Sequence, residues 1–249
     1  MWMSPSGCAK AKNDLPTGKP VGRSIGKRGK NESKYDVLRE VWKSVAVPCI
    51  IGGQGVFVLY ITYLARPGSS LFSWHPFLMS LAVTQFTGLM AEAVSLFTKY
   101  SLATGRPHST RVTAHWVLLA AAAIAHGLGY AAIYYTKESK NKPHLTSWHG
   151  SLGFVTSLVL WTQVSVGVFA KYPKVLERFV SLRALREGHS LSGSLCFVLG
   201  VVTVCVSLWS DWFQSNAGMW AVYPVVALHV FLLCAVLKRH VTRYVWAGK

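Results

Sequence analysis

Residues 71–82 read LFSWHPFLMSLA, a histidine and a proline at the head of a run that otherwise suits lipid. An ionisable side chain in an apolar span is costly unless something pairs with it. The same arrangement recurs at His115, His149 and His189. What those four imidazoles meet decides both the fold and the chemistry.

Outward from this stretch the chain stays apolar. Of 249 residues, 51% are hydrophobic and only 14% are charged, with a mean hydropathy of +0.33. These values exclude one or two ordinary soluble domains and fit a polytopic membrane protein. Six apolar runs cover roughly 45–65, 72–97, 113–135, 148–170, 190–210 and 219–237. Each is near the ~20 residues that cross ~30 Å of hydrocarbon as a helix. A helix satisfies its own backbone in lipid, and short loops make neighbours antiparallel. The expected fold is an all-α membrane protein, a six-transmembrane-helix bundle over 44–240. It is flanked by a disordered basic tail, 1–43, and a C-terminal tail, 241–249. The N-terminal stretch shows no apolar leader run before its polar residues, so the first span is expected to drive insertion.

The net charge of +17 could point to nucleic acid, but its distribution argues otherwise. With six spans, 22 of the Lys and Arg residues fall on one side: the N-terminal tail, loops 98–112 and 171–188, and the C-terminal tail. The other side has only Arg66, Lys137, Lys140 and Lys142. The positive-inside rule then places both termini in the cytosol. The five cysteines, at 8, 49, 196, 205 and 234, form no metal-ligand pattern and read mainly as small buried hydrophobes.

Alternation fixes the depth of the histidines. His75 and His149 open spans that start on the non-cytosolic side; His115 and His189 open spans that start in the cytosol. The sequence therefore gives two pairs, one near each membrane face. Two imidazoles at equal depth on different helices suit one metal between them. Zinc wants more protein ligands than two. A haem brings four equatorial nitrogens and needs only axial ligands. Gly153 and Gly193 each follow a candidate ligand by four residues, on the same helix face. They would leave room for a flat macrocycle, or simply let helices pack closely. With both axial positions taken by His, such a haem moves electrons and binds no substrate. Two of them between spans two to five, roughly 20 Å apart, would make a path across the bilayer. For any one histidine, a hydrogen-bonded packing role is the plainer reading; four at matched depths are not.

The runs ARPGSSLFSWHPFLMSLA (65–82), TAHWVLL (113–119), PHLTSWHGSLG (143–153) and EGHSLSG (187–193) resemble the cytochrome b561 family, in its domain-containing-protein-2 branch. The resemblance covers about residues 45–240. It implies two haems b, with His75 and His149 on the lumenal-side iron and His115 and His189 on the cytosolic-side iron. It implies a transmembrane ascorbate-dependent reductase. Cytosolic ascorbate would be the donor, and monodehydroascorbate or ferric iron the acceptor beyond the membrane. A homodimer, and an endoplasmic reticulum or vesicle membrane, also follow from it.

Ascorbate is an anion, so its site should be basic and lie beside the cytosolic haem. Arg106, Arg111 and Arg186 fit, as substrate or propionate partners or as ordinary positive-inside residues. His108 could accept the proton that ascorbate loses. On the other face Lys142 and His144 precede His149 and could receive the acceptor. Glu92, His126, Gln163 and His229 are polar groups within spans and need partners. A proton- or metal-relaying transporter is the alternative, although no broken-helix pair or inverted repeat supports it. A haem-free scaffold is disfavoured because all four ligands are present.

Overall fold

In a computed structural model of the chain, the structure describes residues 45, 47–83, 107–175 and 178–246. Regular structure there is helical, with no strand among the described residues. Helix α1 spans Val47–Ala65, and α2 is the helical stretch 74–83. They are followed by α3, His108–Ser139, α4, Trp148–Lys171, and α5, Leu182–Ser207. A seven-residue helix α6, Asp211–Ala217, leads through a 3-10 turn at Met219–Ala221 into α7, Val222–Trp246.

Four of these, α1, α3, α4 and α5, are each long and apolar enough to cross a membrane. A fifth candidate is bent: Asp211–Ala217 and Met219–Cys234 meet at 101°. The break falls at Gly218, whose φ of +75° suits a residue without a side chain. The second expected span is described only as far as residue 83, so its remainder, with Glu92, lies outside the described residues. The N-terminal segment 1–43 lies outside them as well.

Helix ends depart from the hydropathy runs in an instructive way. The third run is expected to start at 113, but α3 starts at His108; the fifth is expected at 190, but α5 starts at Leu182. His115 and His189 therefore lie two turns into their helices, and not one. Hydropathy marks where lipid begins, whereas α5 begins where it is capped and α3 begins directly after Pro107, without a side-chain cap. Ser181 accepts the Ala184 amide at 3.2 Å, and Arg183 pairs with Glu187 at 2.9 Å one turn on. Ser147 caps α4 and Ser210 caps α6 in the same manner. At the other end, α7 runs on to Trp246.

Packing separates a lipid-facing surface from a core. Val56, Leu59 and Tyr63 of α1, Ile124 and Leu128 of α3, and Leu191 and Leu195 of α5 are exposed. That much exposed apolar surface on long helices calls for an apolar solvent. Inside, α4 packs along α5, and α7 packs on α5 and α1. Phe57 and Ile61 of α1 meet Phe213 and Ala217 of α6 and Val222 and Val225 of α7. His229 is fully buried there. Its Nδ1–H donates to the Val225 carbonyl at 2.8 Å, and its ring meets Phe57 edge-on at 5.1 Å.

Candidate functional site

The structure brings the four histidines together as two pairs. The rings of His75 and His149 have centroids 6.2 Å apart; those of His115 and His189 are 6.4 Å apart. In each pair the rings stand nearly perpendicular, at 69° and 80°. A metal ion held between two imidazole nitrogens at ~2 Å from each puts the ring centroids about 6 Å apart. Both pairs have that spacing.

The first pair is oriented by backbone. His75 Nδ1–H donates to the Gly129 carbonyl of α3 at 2.9 Å. His149 Nδ1–H donates to the Thr203 carbonyl of α5 at 3.2 Å. A proton committed to Nδ1 leaves Nε2 with its lone pair, the form in which histidine binds metal. Beside this contact the Thr156 and Thr203 hydroxyls meet at 2.9 Å, joining α4 to α5. Upstream, the Ser70 and Ser73 side chains tie the turn into α2: Ser73 Oγ accepts from the Gly68 amide at 3.1 Å and donates to the Ser70 carbonyl at 2.6 Å.

The second pair is set by packing. His115 comes from α3 and His189 from α5. His189 Nδ1 is buried without a hydrogen-bond partner among the described residues. A Cβ on Gly167 of α4 would lie 3.2 Å from His189 Cε1 and 3.7 Å from Nε2, so only glycine lets the ring stand there unshifted.

The first pair is anchored on the helices that carry the second. On α3, His115 and Gly129, the anchor of His75, are fourteen residues apart; on α5, His189 and Thr203, the anchor of His149, are also fourteen apart. That is about 21 Å along each helix, with both positions near one face. Among the described residues no group of three or more His, Cys, Asp or Glu side chains converges. A metal in either pair must therefore bring its remaining ligands with it, as a haem does. The residues present fit haem.

Between the pairs lies a polar link that the sequence left open. Ser157 Oγ–H donates to the Gly153 carbonyl at 2.7 Å, so at 2.8 Å it accepts from His126 Nε2–H. His126 thus ties α3 to α4, two turns beyond His149. Gln163 of α4 donates to Ser192 Oγ of α5, one turn beyond His189. A Cβ on Gly153 would meet only the Thr203 methyl group, at 3.8 Å; Gly193 is buried.

The substrate candidates divide. Arg111 is half-buried one turn before His115, while Arg186 is exposed; Arg106 lies outside the described residues. Lys171, exposed at the end of α4, holds its ammonium 4.0 Å from the ring centroid of Trp116, the neighbour of His115. Beyond the other pair Lys142 is exposed. His144 Nε2 lies 2.8 Å from Glu138 Oε1, and its ring stacks on Tyr134 at 4.8 Å. Sequence reading missed Glu138, Tyr134 and Gly167, although a glycine facing a ligand histidine is a signal that helical spacing could have raised.

Fold and site together define a helical membrane protein with two intramembrane histidine pairs suited to haem. Residues 74–214, which include all four histidines, match the family model for eukaryotic cytochrome b561. The chain is 38% identical over 189 residues to bovine (Bos taurus) transmembrane reductase CYB561D2, covering 75% of this chain and 82% of that protein. The human (Homo sapiens) protein of that name is 36% identical over 191 residues, covering 76% and 84%. Human probable transmembrane reductase CYB561D1 is 32% identical over 176 residues, covering 70% and 75%. No solved structure matches. The chain belongs to the eukaryotic cytochrome b561 family. It is therefore a membrane haem protein of the oxidoreductase class, and the family implies haem b.

Proposed function

We propose that the chain carries electrons from cytosolic ascorbate across a membrane to monodehydroascorbate or ferric iron on the lumenal or extracellular side. The observation that carries this reading is the pair of histidine pairs: ring centroids 6.2 and 6.4 Å apart, with α3 and α5 each carrying a histidine of one pair and, fourteen residues or about 21 Å along the helix, the carbonyl that anchors the other. In this reading the domain 44–240 forms six spans, 1–43 and 241–249 are cytosolic tails, and two haems b lie between spans two to five. His75 and His149 are the ligands on the outer side, and His115 and His189 those on the cytosolic side. A bound haem supplies a one-electron couple without an open coordination position.

The chain's own residues do the rest. The Gly129 and Thr203 carbonyls hold His75 and His149 with Nε2 free. Gly167 leaves space for the His189 ring. Arg111 and Arg186, with Arg106 of the preceding sequence segment as a further candidate, supply positive charge for the ascorbate anion. Lys142 and His144 receive the acceptor. The relatives named as transmembrane reductases support electron transfer as the activity. The same resemblance supports a homodimer and an endoplasmic reticulum or vesicle membrane.

The test is reconstitution of the purified protein into sealed vesicles loaded with ascorbate. The account expects external ferricyanide or monodehydroascorbate to be reduced only when both ascorbate and protein are present. Reduction that needs a leak of ascorbate, or none at all in haem-loaded vesicles, would overturn it.

A further inference from the structure

We propose that His144, oriented by Glu138, is the proton donor to an acceptor that gains a proton together with its electron. This rests on the outward electron transfer proposed above. It narrows the acceptor to an organic radical anion, in preference to ferric iron.

His144 is a built feature. Its Nε2 meets Glu138 Oε1 at 2.8 Å, and its ring stacks on Tyr134, 25° from parallel. The loop is pinned on both sides of it. Lys137 Nζ donates to the Pro143 carbonyl at 2.8 Å, and Ser151 Oγ donates to the Leu145 carbonyl at 3.2 Å. Leu145 takes φ +55° to make this turn, a conformation that a branched residue adopts only when its surroundings hold it there. A carboxylate can only accept, so Glu138 fixes the proton on Nε2 and makes Nδ1 the exchanging atom. A carboxylate orients a catalytic imidazole in the same way in hydrolases.

Position and charge fit the role. Tyr134 lies five residues beyond Gly129, the anchor of His75, or about 7–8 Å further along α3. The His144 side chain is 35% exposed, so it can recover a proton from water. The groups around it are Glu138 and Tyr134 from α3, Lys137 tied to Pro143, and the exposed Lys140 and Lys142. The segment into α4, Leu145 to Trp148, brings no titratable group. Three lysines against one carboxylate favour an anion.

The step balances. A semidehydro ene-diol radical with charge −1 takes one electron from the outer site, which is left oxidised by one electron. An O–H bond forms at the enolate oxygen as the Nδ1–H bond of the His144 imidazolium breaks, and the product keeps charge −1. Neutral His144 retains Nε2–H on Glu138 and regains its proton from bulk. A ferric chelate takes an electron and no proton, so the pair gives it no such help.

The experiment mixes the fully reduced haem-loaded protein with monodehydroascorbate or with ferricyanide and follows haem reoxidation, in wild type, His144→Gln and Glu138→Gln. In His144→Gln the monodehydroascorbate rate should fall at least about tenfold more than the ferricyanide rate. The wild-type monodehydroascorbate rate should fall as pH rises, and the variant should lose that dependence. Glu138→Gln should lose part of the rate by the same split, and the midpoint potentials of both variants should match wild type. Equal losses with the two acceptors, a retained pH profile in His144→Gln, or a shifted potential that accounts for the loss would overturn the proposal. A wild type reoxidised by neither acceptor would sink the outward-transfer reading itself.

Discussion

Gly167→Val tests whether the His115–His189 pair holds a cofactor. A Cβ at Gly167 falls 3.2 Å from His189 Cε1, tighter than ordinary contact, and valine adds two methyl groups beyond it. A free imidazole would swing aside. An imidazole bound through Nε2 cannot, because the metal fixes its position. Overpacking of this kind costs about 1–3 kcal/mol, equivalent to roughly 5- to 150-fold in a binding constant. The cost should fall on one site only, since Gly167 faces His189 and not the other pair. Competition with a haem-scavenging protein, followed by absorbance, would show one of two haems leaving faster. Gly55→Ala is the control, because nothing lies within 4 Å of its added Cβ. A Gly167→Val protein that keeps both haems with wild-type affinity would refute the reasoning.

His115→Ala should abolish ascorbate reduction of the whole chain, since entry is from the cytosolic side; unchanged reduction kinetics would reverse the assigned direction. Arg111→Ala should weaken reduction by ascorbate more than reduction by a neutral artificial donor, measured as the ratio of the two rates. Equal losses would give it a structural or propionate role. Ser157→Ala should leave His126 Nε2–H without its acceptor and cost about 1–3 kcal/mol. Thermal unfolding in detergent would read this as a Tm lower by several degrees, and an unchanged Tm would mean that water replaces the hydroxyl.

The histidine pairs were legible in the sequence because the signal is local and repeated. Each His sits near the head of an apolar run, and alternation of helices turns four positions into two depths. The fourteen-residue register of α3 and α5 supports the same separation that bilayer thickness implied. What was not legible depends on contacts between distant segments. Glu138 and His144 meet because α3 outlasts its apolar run, which ends near 135, and so carries Glu138 on to face the loop beside Tyr134. Gly167 matters only through the ring of a residue on the next helix. The short helix α6 was not legible, since residues 211–218 fall between the fifth and sixth apolar runs and read as a connecting loop. Only Gly218 at positive φ marks the turn.

The central claim is that each histidine pair holds one haem. The direct measurement is haem per chain in the wild type, in His75→Ala/His149→Ala and in His115→Ala/His189→Ala, with the reduced spectrum of each. The account predicts two haems in the wild type and one in each double variant, with the two single-haem spectra summing to that of the wild type. A wild type with fewer than two haems, or a double variant that keeps both, would contradict it.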